Sequence, residues 1–173
     1  MPKEGRTVAK SFRVNEKALA ALQEEANRQN VSVNTLVNQL LIDYSEFGRF
    51  IQRINALRLS RRTFQEILNS IPDDNLVKAG QIAGKSGPLA IITSKWGRIN
   101  LNTVIDFIHD LSAYGGLFEY YETRESERWT ITLMHELGQK WSSFLVNYIN
   151  EAFNAAGIQP KTKISDRAVI FNF

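Results

Sequence analysis

The chain has 173 residues, 43% of them hydrophobic and 23% charged, with a net charge of +3 and a pI near 9.2. That length suits one ordinary domain or two small ones, and the composition excludes wholesale disorder. With no cysteine, disulfides and thiolate metal sites are excluded as well.

From Val8 to Val14 the side chains alternate as a strand requires. Val8, the stem of Lys10, Phe12 and Val14 fall on one side, and Ala9, Ser11 and Arg13 on the other. Lys3, Arg6, Lys10 and Arg13 precede the first helix with only Glu4 opposing them. Asn15 fits an N-cap, and Ala18, Leu19, Leu22 and Ala26 then form one helical stripe. Asn30 stands where a left-handed C-cap residue belongs. Ser32 or Asn34 caps a second helix with Leu36, Val37, Leu40, Leu41 and Tyr44 on one face. A lone strand leaves its backbone N–H and C=O groups unpaired, and neither helix is long enough to stand alone. The unit gains a core if two copies pair their strands antiparallel and the four helices cover the apolar side. Alternatively, the strand joins a sheet made by the rest of the chain.

The segment "KSFRVNEKALAALQEEANRQNVSVNTLVNQLL", within residues 6–46, resembles the ribbon-helix-helix family of transcriptional regulators (CopG/Arc/MetJ type). The resemblance implies a homodimer whose two-stranded ribbon enters the major groove of double-stranded DNA. It implies that Ala9, Ser11 and Arg13 read base edges, with Arg13 able to donate two hydrogen bonds to a guanine. It also implies that the start of the second helix, at Ser32, Val33 and Asn34, holds a backbone phosphate. Lys3, Arg6 and Lys10 are expected to add phosphate contacts. Ala9 and Lys10 depart from the family's usual pattern, which calls for a polar and an apolar residue at those places.

Beyond Tyr44 the helical spacing continues through Phe47, Phe50 or Ile51, Ile54 and Leu57, with Gly48 as a place to kink. Arg49, Arg53, Arg58, Arg61 and Arg62 lie here with no acid between Glu46 and Glu66. Ser60 is placed to cap a helix carrying Phe64, Ile67, Leu68 and Ile71, which Pro72 closes. The next helix runs from Leu76 to about Ala83, and "GKSGP" is a turn whose glycines are misplaced for a phosphate-binding loop. From Leu89 the pattern is mixed until Asn100 or Asn102 caps a helix with Leu101, Val104, Ile105, Ile108 and Leu111, stopped by Gly115-Gly116. "LFEYYET" and "RWTITLMH" read as a hairpin about "RESE". A long helix with Trp141, Phe144, Leu145, Tyr148, Ile149 and Phe153 follows, and "RAVIFNF" is a last strand.

The expected fold class is α+β: a ribbon-helix-helix dimerisation unit at 1–48, a helical linker at 49–72, and at 73–173 an oligomerisation or sensing domain of antiparallel sheet and helices. Phe118, Tyr120, Tyr121, Trp129 and Trp141 are expected in its core and at a subunit interface, with a small-molecule effector pocket as the other use for them. His109 is expected on a helix surface. His135 precedes Glu136 at a strand-to-helix junction, where an acid–base pair is conceivable. "HELGQ" lacks the second histidine of the zinc-protease motif, however, and a structural role is expected. Neither catalysis nor a cofactor or metal is expected. No apolar run approaches the roughly 20 residues that span a bilayer, and "MPKEGRTVAK" lacks a secretory core, so no membrane partner and a cytoplasmic location are expected. The reading is therefore a repressor-like DNA-binding homodimer or higher oligomer. The alternatives are an antitoxin-type repressor that binds a partner protein and an architectural DNA-coating protein.

Overall fold

The computed structural model describes residues 7–53, 56–125 and 128–173. Contacts divide the chain into two units, Met1–Ser45 and Glu46–Phe173.

In the first unit, Asn15 caps α1 (Glu16–Gln29) by accepting the N–H of Lys17 at 3.0 Å. The helix stops at Asn30, whose φ of 56° and ψ of 42° are left-handed, a conformation that asparagine tolerates better than most residues. Ser32 is the residue that caps α2 (Val33–Asp43), its Oγ accepting the N–H of Thr35 at 3.0 Å. The strand expected over Val8–Val14 is not formed within one copy of the chain. These residues belong to no helix or sheet, and all are exposed. The physical reason is that a strand needs a neighbour for its backbone groups, and the sheet of the second unit takes none of its strands from this segment.

The helical path continues past Tyr44 as the spacing implied, through a π-helical turn at Tyr44–Gly48 and a short α3 (Arg49–Arg53). Residues that were expected to be linker contribute to the second unit's packing: Phe50 and Leu68 are buried, and so is Phe47, which was expected in the first domain. Ser60 caps α4 (Arg61–Ser70) through the N–H of Thr63. Lys140 donates to the carbonyls of Asn69 and Ile71 at the end of that helix, where a cation complements the dipole. Next come α5 (Asp73–Gly84), α6 (Gly87–Trp96) and α7 (Leu101–Gly115). Asn100 caps α7 in a reciprocal box with Thr103.

The hairpin is β1 (Glu119–Glu125) and β2 (Arg128–Met134). It is followed by α8 (Gly138–Ala155), β3 (Lys161–Ile164) and β4 (Ala168–Asn172). Neither α6 nor β3 was expected from the sequence. The sheet is antiparallel throughout in the order β1-β2-β4-β3. Ile131, Leu133, Val169 and Phe171 face the helices, and none of them has exposed area. Helices α5 and α8 lie so close that a Cβ on Gly80 or Gly84 would stand 2.6 Å from the carbonyl oxygen of Phe144 or Tyr148. The second unit is thus α+β, with helices covering one side of an antiparallel sheet.

Candidate nucleic-acid interface

Ala9, Lys10, Ser11 and Arg13 are all exposed. Lys3 and Arg6 lie outside the described residues. Ser32 stands at the start of α2, its hydroxyl held by Thr35 both through the N–H and through Oγ1 at 2.7 Å. An anion there would therefore meet the backbone N–H groups of Val33 and Asn34, which have no intrahelical acceptor at the first turn. On α1, Arg28 is occupied by Glu25, which it contacts at 2.6 Å. The hydrogen bond from Arg28 holds the Glu25 carboxyl down to about 2.

The apolar side of this unit is largely uncovered. Ala26 and Leu36 are its buried hydrophobic residues. Val8 is 82% exposed, Phe12 68% and Val14 54%, and Leu19, Leu40, Leu41, Ile42 and Tyr44 are exposed with them. Of the stripes read from the sequence, Ala26 and Leu36 are buried and Leu22 and Val37 are half-buried.

The arginine run of residues 49–62 is partly committed within the second unit. Arg49 sits over the Phe50 ring at 4.5 Å, Arg53 donates to Ser94, and Arg61 donates to the carbonyl of Gly116. Arg58 and Arg62 are exposed.

His135 and Glu136 do not form the acid–base pair that their adjacency offered. His135 is buried, and its Nδ1 accepts the N–H of Leu137 at 3.3 Å. This leaves the proton on Nε2, which is 2.9 Å from Ser142 Oγ; that hydroxyl donates to the carbonyl of Ser165. Burial lowers the His135 pKa and keeps the ring neutral. Glu136 instead faces Arg61 at 3.6 Å. A cleft of about 380 Å³ opens beside them, lined by Arg61, Ser112, Phe118, Met134, Glu136 and Arg167 among others. Its wall uses His135 as a brace between α8 and the turn before β4, with both ring nitrogens engaged. His109 is exposed on α7, edge-on to Tyr120.

Of the five aromatics, Phe118 and Trp141 are core, Tyr120 and Trp129 are half-buried, and Tyr121 is exposed with its hydroxyl on Glu119. Only Phe118 of these lines the cleft. Sequence reasoning missed a second polar centre. Lys95 donates to Asp110 at 2.8 Å and to the carbonyl of Glu46 at 2.6 Å. Burial pushes the Asp110 carboxyl up against the opposing pull of Lys95. The signal available was a lysine close behind an apolar run, in "LAIITSKW".

Among the described residues no group of three or more His, Asp or Glu side chains is placed to hold a metal, and no helix is long and apolar enough to cross a membrane. No protein-family model, curated protein or solved structure matches the chain.

Proposed function

We propose that the protein binds double-stranded DNA as a homodimer, pairing two copies of residues 8–14 into an antiparallel ribbon that enters the major groove. The observation that carries this reading is the unfinished core of the first unit. Eight large apolar side chains from Val8 to Tyr44 stand exposed on a unit whose described residues include only two buried hydrophobic ones. A unit this small cannot hold its fold on so little burial, and a second copy supplies both the missing strand and the missing apolar cover.

In that arrangement Ala9, Ser11 and Arg13 face the bases, and Lys10 with the start of α2 meets phosphates. The protein acts as a sequence-specific regulator of the repressor type. The second unit has its own buried core, which favours this reading over an antitoxin whose flexible tail folds on a partner.

The test is DNA binding by two variants of the full chain. Arg13→Ala should lose preference at one base pair, about 1–3 kcal/mol of discrimination. Lys10→Ala should weaken all sequences alike and reduce the salt slope by about one. Wild-type binding by both would refute the groove arrangement. Continuous protection of DNA in footprinting, in place of discrete sites, would favour the coating alternative.

A further inference from the structure

The sheet of the second unit has one side packed under helices and one side open. The register puts Tyr121, Thr132, Ile170 and Lys163 in one row across the open side, and Thr123, Thr130, Asn172 and Lys161 in the next. Met134 and Tyr121 are 45% and 51% exposed there.

Charge on this side is uneven. Edge strand β1 presents Glu119 and Glu125, with Arg128 of β2 directly across from Glu125, and the opposite edge, β3, presents Lys161 and Lys163. Among the described residues none of these four takes part in an ion pair; Glu119 accepts a hydrogen bond from the Tyr121 hydroxyl. Three strand spacings, about 14 Å, separate the two edges. The screening length at physiological salt is about 8 Å, so the two edges cannot neutralise each other within one sheet.

We propose that this open face docks on the same face of a second copy, about a two-fold axis parallel to the strands. That rotation reverses the strand order, so β1 of each copy lies over β3 of the other. Lys163 of each copy then comes over Tyr121 of the other and Lys161 over Thr123, between Glu119 and Glu125, so the two edges meet twice, as a self-complementary interface requires. In the middle, β2 lies over β4: Met134 comes over Ala168, and Ile170 comes over Thr132, large against small. Stacked sheets sit about 10 Å apart, within reach of lysine and glutamate side chains from both faces. Charge complementarity of the edges selects a second copy of this chain as the occupant. The inference does not depend on the ribbon, which would pair a different unit.

The experiment is sedimentation velocity of the full chain at low ionic strength. Every sample carries Phe12→Asp and Val14→Asp, which disable pairing through residues 8–14 and leave the second unit untouched. On this background the unmodified sheet should give the mass of two copies. Lys161→Glu/Lys163→Glu alone should halve that mass, and so should Glu119→Lys/Glu125→Lys alone. An equimolar mixture of the two should return to two copies, because each variant edge then faces its opposite. The proposal is overturned if the background protein is a monomer, if the single-edge variants keep the two-copy mass, or if the mixture stays monomeric. None of these outcomes bears on the ribbon, whose failure would appear separately as wild-type DNA binding by both Arg13→Ala and Lys10→Ala.

Discussion

Gly80→Ala tests how closely the second unit is assembled. Its added Cβ would stand 2.6 Å from the carbonyl oxygen of Phe144 and 3.0 Å from Asn147 Cβ. Contacts under 3.0 Å essentially never occur for a real Cβ, and the atom in the way is α8 backbone. Helix α5 must therefore retreat by about 0.4 Å at least, loosening a seam where part of the dispersion energy depends on close contact. Overpacking of this kind costs about 1–3 kcal/mol. Alanine returns up to about 1 kcal/mol in helix propensity, leaving a net loss of about 1 kcal/mol. Gly84 meets the same obstacle one turn later, its Cβ 2.6 Å from the Tyr148 carbonyl oxygen. A single retreat of α5 relieves both clashes, so the double variant should cost little more than Gly80→Ala alone, a strong departure from additivity.

Gly115→Ala is the control, since its Cβ would meet nothing nearer than Leu111 Cδ2 at 3.9 Å. It should be neutral or stabilising by up to about 1 kcal/mol. Urea unfolding followed by tryptophan fluorescence suits the question, because Trp96, Trp129 and Trp141 all lie in the second unit. A Gly80→Ala midpoint at or above wild type would refute the close approach of α5 and α8. Full additivity of the two glycine variants would refute the shared retreat.

His135 is held neutral by burial, with its folded pKa below the ordinary 6.5. The unfolded chain therefore binds the proton first as pH falls below 6.5, so stability should drop through that window and be fully present above it. The slope of Tm against pH there should flatten in His135→Gln; an unchanged slope would exclude this histidine as its source. Lys95→Met leaves Asp110 and the Glu46 carbonyl without their donor at a site where both charged side chains are 12% exposed. Breaking such a pair costs about 3–5 kcal/mol, and adding Asp110→Leu should recover most of it, as read by the same unfolding midpoints. Equal stability of Lys95→Met and wild type would mean that the pair contributes nothing net.

What the sequence made legible is what local chemistry decides. The caps at Asn15, Ser60 and Asn100, the left-handed stop at Asn30 and the hairpin each depend on residues within a few positions of one another. They could therefore be read without knowing the fold. Helix α6 escaped because its exposed face is short and weakly polar, Ala90, Thr93 and Ser94 against buried Pro88, Ile91 and Ile92, so "GPLAIITSKW" sets no clear period. Strand β3 escaped because "KTKI" is a polar edge strand of four residues, defined by its pairing with β4 and not by its composition. His135 was expected to be structural, but the Ser142 hydroxyl that it meets, and the Ser165 carbonyl to which that hydroxyl donates, lie 7 and 30 positions away in the chain, a distance only the fold closes. The acid–base pair that adjacency made conceivable is absent for the same reason, since geometry gave the Glu136 carboxylate to Arg61.

The strand at residues 8–14 is the extreme of this pattern, since its proposed partner lies in another molecule. Ordering seven residues costs about 7–14 kcal/mol in backbone entropy. Covering eight half-exposed apolar side chains returns about 1 kcal/mol each, and each ladder hydrogen bond adds about 0.5–1.5 kcal/mol. A single copy receives neither return, so it has no reason to hold the strand. In the proposed pair the ribbon and the dimer would form in one step, and the alternating side chains of Val8–Val14 would mark a surface that exists only there.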